Sequence, residues 1–152
     1  MGGRSRRVLI LCTQNSCRSQ MAEAFLRDFR PDWEVHSAGI APAERVHPMA
    51  VEVMREVGFD LTTARPKDIA EFLDRPFDYV ITVCDHARER CPSFPGERVR
   101  LLHMGFEDPA AVRGTEEEVR RTFRRVRDQI RRAIGEFVRR VDGGPARRDL
   151  VR

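Results

Sequence analysis

Lysine and asparagine are almost missing from this chain of 152 residues. Lys67 and Asn15 are the only examples of their types, so arginine carries nearly all the positive charge, and the formal net charge is +4. No apolar run is long enough to span a bilayer, and the arginine-rich start lacks the hydrophobic core of a signal peptide. We therefore expect a cytoplasmic protein that does not associate with membranes.

Cysteine is also scarce, at four residues. In a cytoplasmic protein, cysteines are more often catalytic, redox-active or metal-binding than parts of a structural disulfide framework. Neither Cys12-x4-Cys17 nor Cys84-x6-Cys91 has the tight spacing of a zinc ribbon, and no pair of histidines completes such a site. We predict that the chain holds no metal and no bound cofactor.

Short apolar runs alternate with segments of helical periodicity along the whole chain. The predicted strands are 7–11, 33–37, 77–83 and 98–103, and the predicted helices are 19–29, 48–57, 67–73, 85–90 and 116–141. This alternation predicts an α/β fold of one domain over residues 1–152: a single four-stranded parallel sheet, order 2-1-3-4, flanked by helices on both faces. Residues 142–152 are expected to form a loose tail, and the protein to be a monomer.

The segment from Cys12 to Ser19 reads Cys-Thr-Gln-Asn-Ser-Cys-Arg-Ser and directly follows the first predicted strand. The backbone N–H groups of such a loop can form an anion-binding nest, and the next helix adds its positive amino end. The same field favours Cys12 as a thiolate, which is the nucleophilic form, and Arg18 can donate two parallel hydrogen bonds to an oxyanion. We predict a substrate-binding loop for a tetrahedral anion, formed by Thr13, Gln14, Asn15, Ser16, Cys17, Arg18 and Ser19.

The predicted strand order brings further reactive side chains to the same place. The first and third strands are neighbours where the order reverses, and open α/β sheets bind their ligands at that point. Cys12 and Cys84 then follow the carboxyl ends of these two strands, and Asp108 follows the fourth strand on the same edge. Asp108 can act as a general acid toward an oxygen that leaves the anion, and Glu107 is the less favoured alternative.

Cys84 and Cys91 flank a segment of good helix formers in which Asp85 is a candidate cap. Seven residues of helix rise about 10.5 Å, whereas a disulfide requires Cα atoms within about 7 Å. The two cysteines can therefore share a helix but can pair only if it unwinds, and Pro92 marks the end where it can break. They are either two unrelated structural thiols or a redox pair, and the position of Cys84 beside Cys12 favours the redox pair.

Together these motifs resemble the thioredoxin-coupled arsenate reductases, which share the fold of the low-molecular-weight protein tyrosine phosphatases. The resemblance extends from Val8 to about Val141. Its carriers are residues 12–19, Ser37-Ala38-Gly39, residues 77–84, Cys91-Pro92 and residues 105–110. The phosphatase branch shares the first loop and the Asp-Pro pair, whereas the Cys84/Cys91 pair resembles the reductase branch.

The resemblance implies a relay of cysteines. Cys12 would attack arsenate while Asp108 protonates the departing hydroxyl group, and Cys84 would then attack Cys12 and release arsenite. Cys91 would attack Cys84, and thioredoxin would reduce the resulting Cys84–Cys91 disulfide. The implied partners are thus arsenate and thioredoxin, with phosphate and sulfate as competing anions; glutaredoxin leaves no clear mark in the sequence.

Two positions depart from the family pattern. Gln14 stands where phosphatase loops commonly carry glycine, so it is strained if the backbone there has a positive φ; otherwise it marks the reductase branch or tunes anion preference. Some of these reductases bind a structural potassium ion, for which oxygens could come from Glu23, Ser37 and Thr62 or Thr63. Lys67 stands near the place of an acidic ligand in those members, and we expect its ammonium group to replace the ion.

Two other functions compete with this interpretation. A phosphatase for phosphotyrosine or small phosphoesters is the main alternative, and weak phosphatase activity is expected in either case because arsenate and phosphate are nearly isosteric. Nucleic-acid binding through the arginines of the last predicted helix is a different class. A charge run opposite an apolar stripe is usually a solvated face, so we predict no nucleic-acid partner. Among the histidines, His86 is of interest because it lies between the redox cysteines.

Overall fold

The computed structural model describes residues 5–96 and 98–143. A four-stranded parallel sheet lies at its centre, formed by β1 (Arg7–Cys12), β2 (Glu34–Gly39), β3 (Tyr79–Thr82) and β4 (Arg100–His103). The strand order β2-β1-β3-β4 confirms the predicted topology. The predicted loose tail lies outside the described residues from 144 onward, and 142–143 belong to the last helix.

Four helices and two 3₁₀ turns complete the fold: α1 (Arg18–Phe29), α2 (Pro48–Glu56), α3 (Asp85–Glu89), α4 (Glu116–Gly143), and 3₁₀ turns at Ile69–Phe72 and Pro109–Ala111. Successive strand residues point to opposite faces of a sheet. On β2, His36 packs against Phe72 with ring centroids 5.1 Å apart, whereas the next residue, Ser37, donates a hydrogen bond to Glu23 of α1. Helical segments therefore cover both faces, as predicted.

The core is built on β1, whose residues Val8 to Leu11 are completely buried. A central parallel strand that is covered on both faces needs such a continuous apolar run. The predicted stripe of α4 packs against the same core, with Phe123, Val126, Ile130 and Ile134 fully buried. The amino end of α4 has the predicted capping box, since the Thr115 N–H donates to Glu118 Oε1 at 2.7 Å and the Glu118 N–H donates to Thr115 Oγ1 at 3.1 Å.

Part of the arginine face of α4 forms an ion-pair network with α2. Arg127 is buried and donates to the carbonyl of Val53 and to Glu56 Oε1, both at 2.9 Å. Arg124 also binds Glu56, with Nη2 2.7 Å from Oε2. Arg120 reaches Glu52. These arginines hold α2, and with it the loop that precedes α2, against the last helix.

The segment between Cys84 and Cys91 differs from the prediction. The helix α3 spans only Asp85–Glu89, and its N-cap is Cys84 rather than Asp85: the Cys84 sulfur accepts the Ala87 N–H at 3.4 Å. Arg90 already leaves helical geometry, and Pro92 disfavours a helical conformation for the residue before it. The predicted helix is thus present, but Cys91 lies beyond its end, so the two cysteines do not share it.

Within the described part of the chain, no helix has both the length and the apolar character needed to cross a membrane.

Candidate active site

The segment that follows β2 binds the carbonyl groups of the loop after β1, so these carbonyls point away from the inside of the loop. Residues 40, 41, 43 and 47 donate backbone N–H groups to the carbonyls of Cys12, Thr13, Gln14 and Ser16, at 2.8 to 3.2 Å. In a trans peptide the C=O and the next N–H point in opposite directions. Since these carbonyls point outward, the N–H groups of residues 13, 14, 15 and 17 point inward. The loop is thus a preformed ring of donors for an anion.

Gly39 makes this close approach possible. A Cβ atom at position 39 would lie 2.7 Å from the Thr13 carbonyl oxygen and 3.0 Å from the Asn15 nitrogen. No side chain fits at those distances. The Ser-Ala-Gly sequence at the end of β2 is therefore part of the wall that shapes the loop.

The strained residue of the loop is Asn15, not Gln14. Asn15 has a φ of 52°, and it is the only non-glycine residue with positive φ among those described. Asparagine tolerates this left-handed conformation better than most residues do. Its buried carboxamide donates to Ser19 Oγ at 2.7 Å and Ser37 Oγ at 2.9 Å, and accepts the Lys67 N–H at 2.8 Å. The strain expected for a positive φ at Gln14 is absent, and the Gln14 side chain is exposed at the rim of the cavity.

The ring of donors encloses a cavity of about 190 Å³ that is lined by residues 12 to 18, Asp108 and Ala110. The Arg18 side chain is held in place beside the cavity, since Nη1 donates to the Phe106 carbonyl at 3.0 Å. The Nε of Arg18 is buried and has no hydrogen-bond partner among the described residues. A buried donor without a partner costs about 1–3 kcal/mol. Arg18 therefore lines the cavity with one donor that no described residue satisfies.

The structure places Asp108 at the cavity and turns Glu107 away from it. Asp108 Oδ2 lies 3.7 Å from Arg18 Nη2, and Oδ1 accepts the Ala110 N–H at 3.0 Å, which caps the turn Pro109–Ala111. Glu107 instead accepts a hydrogen bond from Arg125 at 2.8 Å. Asp108 is thus the carboxyl group positioned to act on a bound anion.

Cys12 and Cys84 lie close together beneath the loop, because they follow the carboxyl ends of the paired strands β1 and β3, and each influences the pKa of the other. The neighbouring Cys12, Thr13 Oγ1 at 3.2 Å and the Ala87 N–H at 3.4 Å lower the pKa of Cys84. The neighbouring Cys84 and burial raise the pKa of Cys12, against the favourable charge of Arg18. The pair therefore holds one negative charge more easily than two, and the thiolate form of Cys12 stays a prediction.

The other two cysteines have different surroundings. Cys91 is half-buried, its thiol contacts the carbonyl of Pro92 at 3.6 Å, and burial raises its pKa. Cys17 is buried inside the loop, 3.7 Å from Ser16 Oγ, and burial raises its pKa to about 11. All four thiols are free. The pairing of Cys84 with Cys91 stays a prediction.

The sequence drew attention to His86, but the histidines near the site are His47 and His103. His86 is exposed on α3. His47 donates its backbone N–H to the Ser16 carbonyl, and its ring caps α2 by accepting the Met49 N–H at 3.0 Å. His103 contacts residues on both sides of Cys84. The His47-Pro48 pair was readable as a helix start, whereas no sequence signal connects His103 to Cys84.

Residues 7–145 match the model of the family described as low molecular weight phosphotyrosine protein phosphatase. The chain belongs to this family. Among its relatives in this family, the arsenate reductase of Halalkalibacterium halodurans is 45% identical over 131 residues, which are 86% of this chain and 93% of that protein. The arsenate reductase of Bacillus subtilis is 44% identical over the same shares.

Solved structures of the family agree with these matches. An arsenate reductase in the phosphate binding state superposes with a TM-score of 0.70 at 30% identity, covering 90% of this chain and 99% of the other. The tyrosine phosphatase Wzb from Escherichia coli K30, in complex with sulphate, gives 0.74 at 20% identity over 90% and 99%, which supports the fold alone. The resemblance stated from the sequence is confirmed at the level of family and fold.

Proposed function

We propose that this chain reduces arsenate to arsenite through a relay of thiols. The observation that carries the proposal is the second sulfur, Cys84, which lies next to Cys12 beneath the anion-binding loop and is hydrogen-bonded to Thr13 Oγ1 of that loop at 3.2 Å. Hydrolysis of a phosphoester needs only a nucleophile, an arginine and an acid. A second thiol in contact with the nucleophile is an electron donor, and the relatives that are 44–45% identical are named arsenate reductases.

The first step forms a bond between sulfur and arsenic. Arsenate is held by the inward N–H groups of the loop and by Arg18, which lines the cavity. Cys12 attacks arsenic as a thiolate, which these N–H groups and the positive charge of Arg18 favour. One hydroxyl group leaves arsenic as water, with Asp108 as the proton donor.

The second step transfers two electrons. Cys84, whose lowered pKa favours the thiolate, attacks the Cys12 sulfur, and the electron pair of the sulfur–arsenic bond stays on arsenic. Arsenite leaves, and the two thiols have been oxidised to a Cys12–Cys84 disulfide. Cys91 then attacks Cys84, which returns Cys12 to its reduced form and leaves a Cys84–Cys91 disulfide.

We propose thioredoxin as the reductant of that last disulfide, because Cys91 lies in a half-exposed segment beyond the short helix α3. The test is an NADPH-coupled assay with thioredoxin, its reductase and arsenate. We expect NADPH oxidation that requires all components and is inhibited by phosphate. No oxidation of NADPH, with a thioredoxin system that reduces insulin in the same buffer, would contradict the proposal; activity only with glutaredoxin would replace the reductant. Cytoplasmic location and a monomeric state stay predictions.

A hydrolytic side activity is favoured by the geometry of Cys12, Arg18 and Asp108. These groups can stabilise phosphoryl transfer to sulfur as well as attack on arsenic, because the two anions have the same shape. None of the residues that line the cavity is aromatic, so a phosphotyrosine ring would find no stacking partner there. We therefore propose weak hydrolysis of small phosphoesters and a preference for inorganic oxyanions.

We further propose that Lys67 takes the place of a potassium ion behind the loop. Its Nζ donates to the Arg65 carbonyl at 3.3 Å and lies 3.7 Å from Glu23 Oε1. The same carboxylate accepts the Ser37 hydroxyl, which in turn binds Asn15. The ammonium group thus supplies positive charge to the network that holds the strained residue of the loop.

Exchanging potassium for sodium is expected to leave the activity and melting temperature of the wild type unchanged. Lys67→Met should destabilise the fold by about 1 kcal/mol and create a dependence on potassium. The measurement is a thermal melt and a turnover assay in the two chlorides. Arg27→Met, which removes the outer partner of Glu23 at 2.8 Å, is the matched control and should not create this dependence. A potassium-dependent wild type would contradict the proposal.

A further inference from the structure

His103 joins the chain on both sides of Cys84. It lies at the carboxyl end of β4, with Nδ1 2.8 Å from Thr82 Oγ1 and Nε2 3.2 Å from Asp85 Oδ1. Thr82 is the last residue of β3, and Asp85 is the first residue of α3. One side chain from the neighbouring strand therefore bridges the short turn that carries the cysteine.

The bridge works in either protonation state of the ring. In the neutral ring, the Thr82 hydroxyl donates to Nδ1, and the N–H at Nε2 donates to Asp85. In the protonated ring, Nδ1–H donates to Thr82 Oγ1, and the hydroxyl hydrogen can turn to the Leu102 carbonyl at 3.4 Å.

The surrounding backbone leaves room for this ring and fixes the same turn. A Cβ atom at Gly105 would lie 3.1 Å from His103 Nε2, so any side chain at this position would push against the ring. Beyond the strands, the Met104 N–H donates to the Thr82 carbonyl at 2.8 Å and the Phe106 N–H donates to the Val83 carbonyl at 3.3 Å. The residues before and after Cys84 are therefore tied to β4 and to the loop that follows it.

The carboxyl end of α3 makes fewer hydrogen bonds. The last one is from the Arg90 N–H to the His86 carbonyl, and the one hydrogen bond of the Cys91 thiol in the described part of the chain is to the neighbouring Pro92 carbonyl, although Cys91 also packs against the core. For Cys84 to react first with Cys12 and then with Cys91, one of the two ends must stay in place. The contacts single out the Cys84 end as the fixed one.

We infer that His103 is a positioning residue of the thiol relay: by bridging Thr82 and Asp85 it holds the Cys84 sulfur in line with Cys12. This inference rests on the proposed function. It assigns to His103 no contact with the substrate and no role in the attack of Cys12 on the anion. A displacement of about 1 Å can slow an aligned reaction by up to about 100-fold, so loss of the bridge should be measurable.

The test measures directly how fast the first disulfide, Cys12–Cys84, forms. Wild type and variants are mixed with arsenate without thioredoxin, quenched by alkylation, and the Cys12–Cys84 and Cys84–Cys91 species are counted by mass spectrometry. We expect His103→Leu and Asp85→Ala to form the first disulfide about 10-fold or more slowly. Asp85→Asn keeps an acceptor oxygen for Nε2–H and should recover most of the rate. Hydrolysis of p-nitrophenyl phosphate, which does not need Cys84, should stay at the wild-type level in all of them.

Arg88→Gln is the matched control. It removes the other charged neighbour of Asp85, at 3.8 Å, without touching the bridge, and should react like the wild type. Wild-type rates of disulfide formation in both His103→Leu and Asp85→Ala would overturn the inference. So would a parallel fall of phosphatase activity and melting temperature, since that pattern indicates a general structural role.

Failure of the proposed function would be recognised separately. If the wild type does not reduce arsenate, the alkylation rate of Cys84 by iodoacetamide still measures the bridge, because it requires only the sulfur and its surroundings. We expect His103→Leu to change that rate and Arg88→Gln to leave it unchanged. An unchanged rate in His103→Leu would overturn the positioning role whatever the substrate is.

Discussion

The Cys84→Ser variant is expected to lose arsenate turnover by at least about 1000-fold and to keep hydrolysis of p-nitrophenyl phosphate. Serine cannot form the disulfide that releases arsenite, so reduction stops at the first adduct. Its hydroxyl can still bind Thr13 Oγ1 and accept the Ala87 N–H, which leaves the loop, Arg18 and Asp108 in place for hydrolysis. The measurement is the ratio of the two activities in the same preparation.

Cys91→Ser supplies the matched comparison for this experiment. It lacks the last thiol of the relay but retains Cys12 and Cys84, so it should complete one turnover and accumulate the Cys12–Cys84 disulfide. A single equivalent of arsenite per enzyme is the expected yield. If Cys84→Ser continues to reduce arsenate at the wild-type rate, the proposed relay is wrong, and the protein is better described as a phosphatase.

Gly39→Ala is expected to weaken oxyanion binding by about 10-fold or more, because overpacking costs about 1–3 kcal/mol. The added Cβ would lie 2.7 Å from the Thr13 carbonyl oxygen and 3.0 Å from the Asn15 nitrogen, so the backbone of the loop must move. The inward N–H groups would then no longer point to one common position for the anion. Titration calorimetry with phosphate measures the effect without any turnover.

The same substitution at Gly135 controls for the general effect of an added methyl group. Gly135 is buried in α4, where a Cβ would meet Phe29 at an ordinary contact distance of 3.4 Å. Alanine favours a helix interior over glycine by about 0.5–1 kcal/mol. We expect Gly135→Ala to keep phosphate affinity and not to lower the melting temperature. Unchanged phosphate binding in Gly39→Ala would show that the loop does not depend on this close approach.

Features governed by local pattern were predictable from the sequence. The run Val8 to Leu11, the periodic stripe of α4 and the capping box at Thr115 each depend on residues close together in the chain. From the strand order it also followed that Cys12 and Cys84 end neighbouring strands. These predictions succeeded because parallel sheets and amphipathic helices impose strict spacing on apolar residues.

Features that depend on contacts across the fold were not predictable. No pattern shows that a Cβ at position 39 would strike the loop, or that the positive φ falls on Asn15 and not on Gln14. The effect of Cys12 and Cys84 on each other's pKa also depends on distances that topology leaves open. His103 was missed for the same reason, since its partners at 82 and 85 lie on other elements and a histidine at a strand end has many uses.

The outward hydrogen bonds of the loop have a consequence for the energetics of catalysis. Because residues 40–47 already hold the carbonyls of the loop, its N–H dipoles are oriented when the chain folds. They need not rotate when charge develops on the anion, whereas water dipoles would have to. Folding thereby lowers the reorganisation energy of the reaction in advance. The stability of residues 40–47, which connect β2 to α2, becomes a determinant of rate.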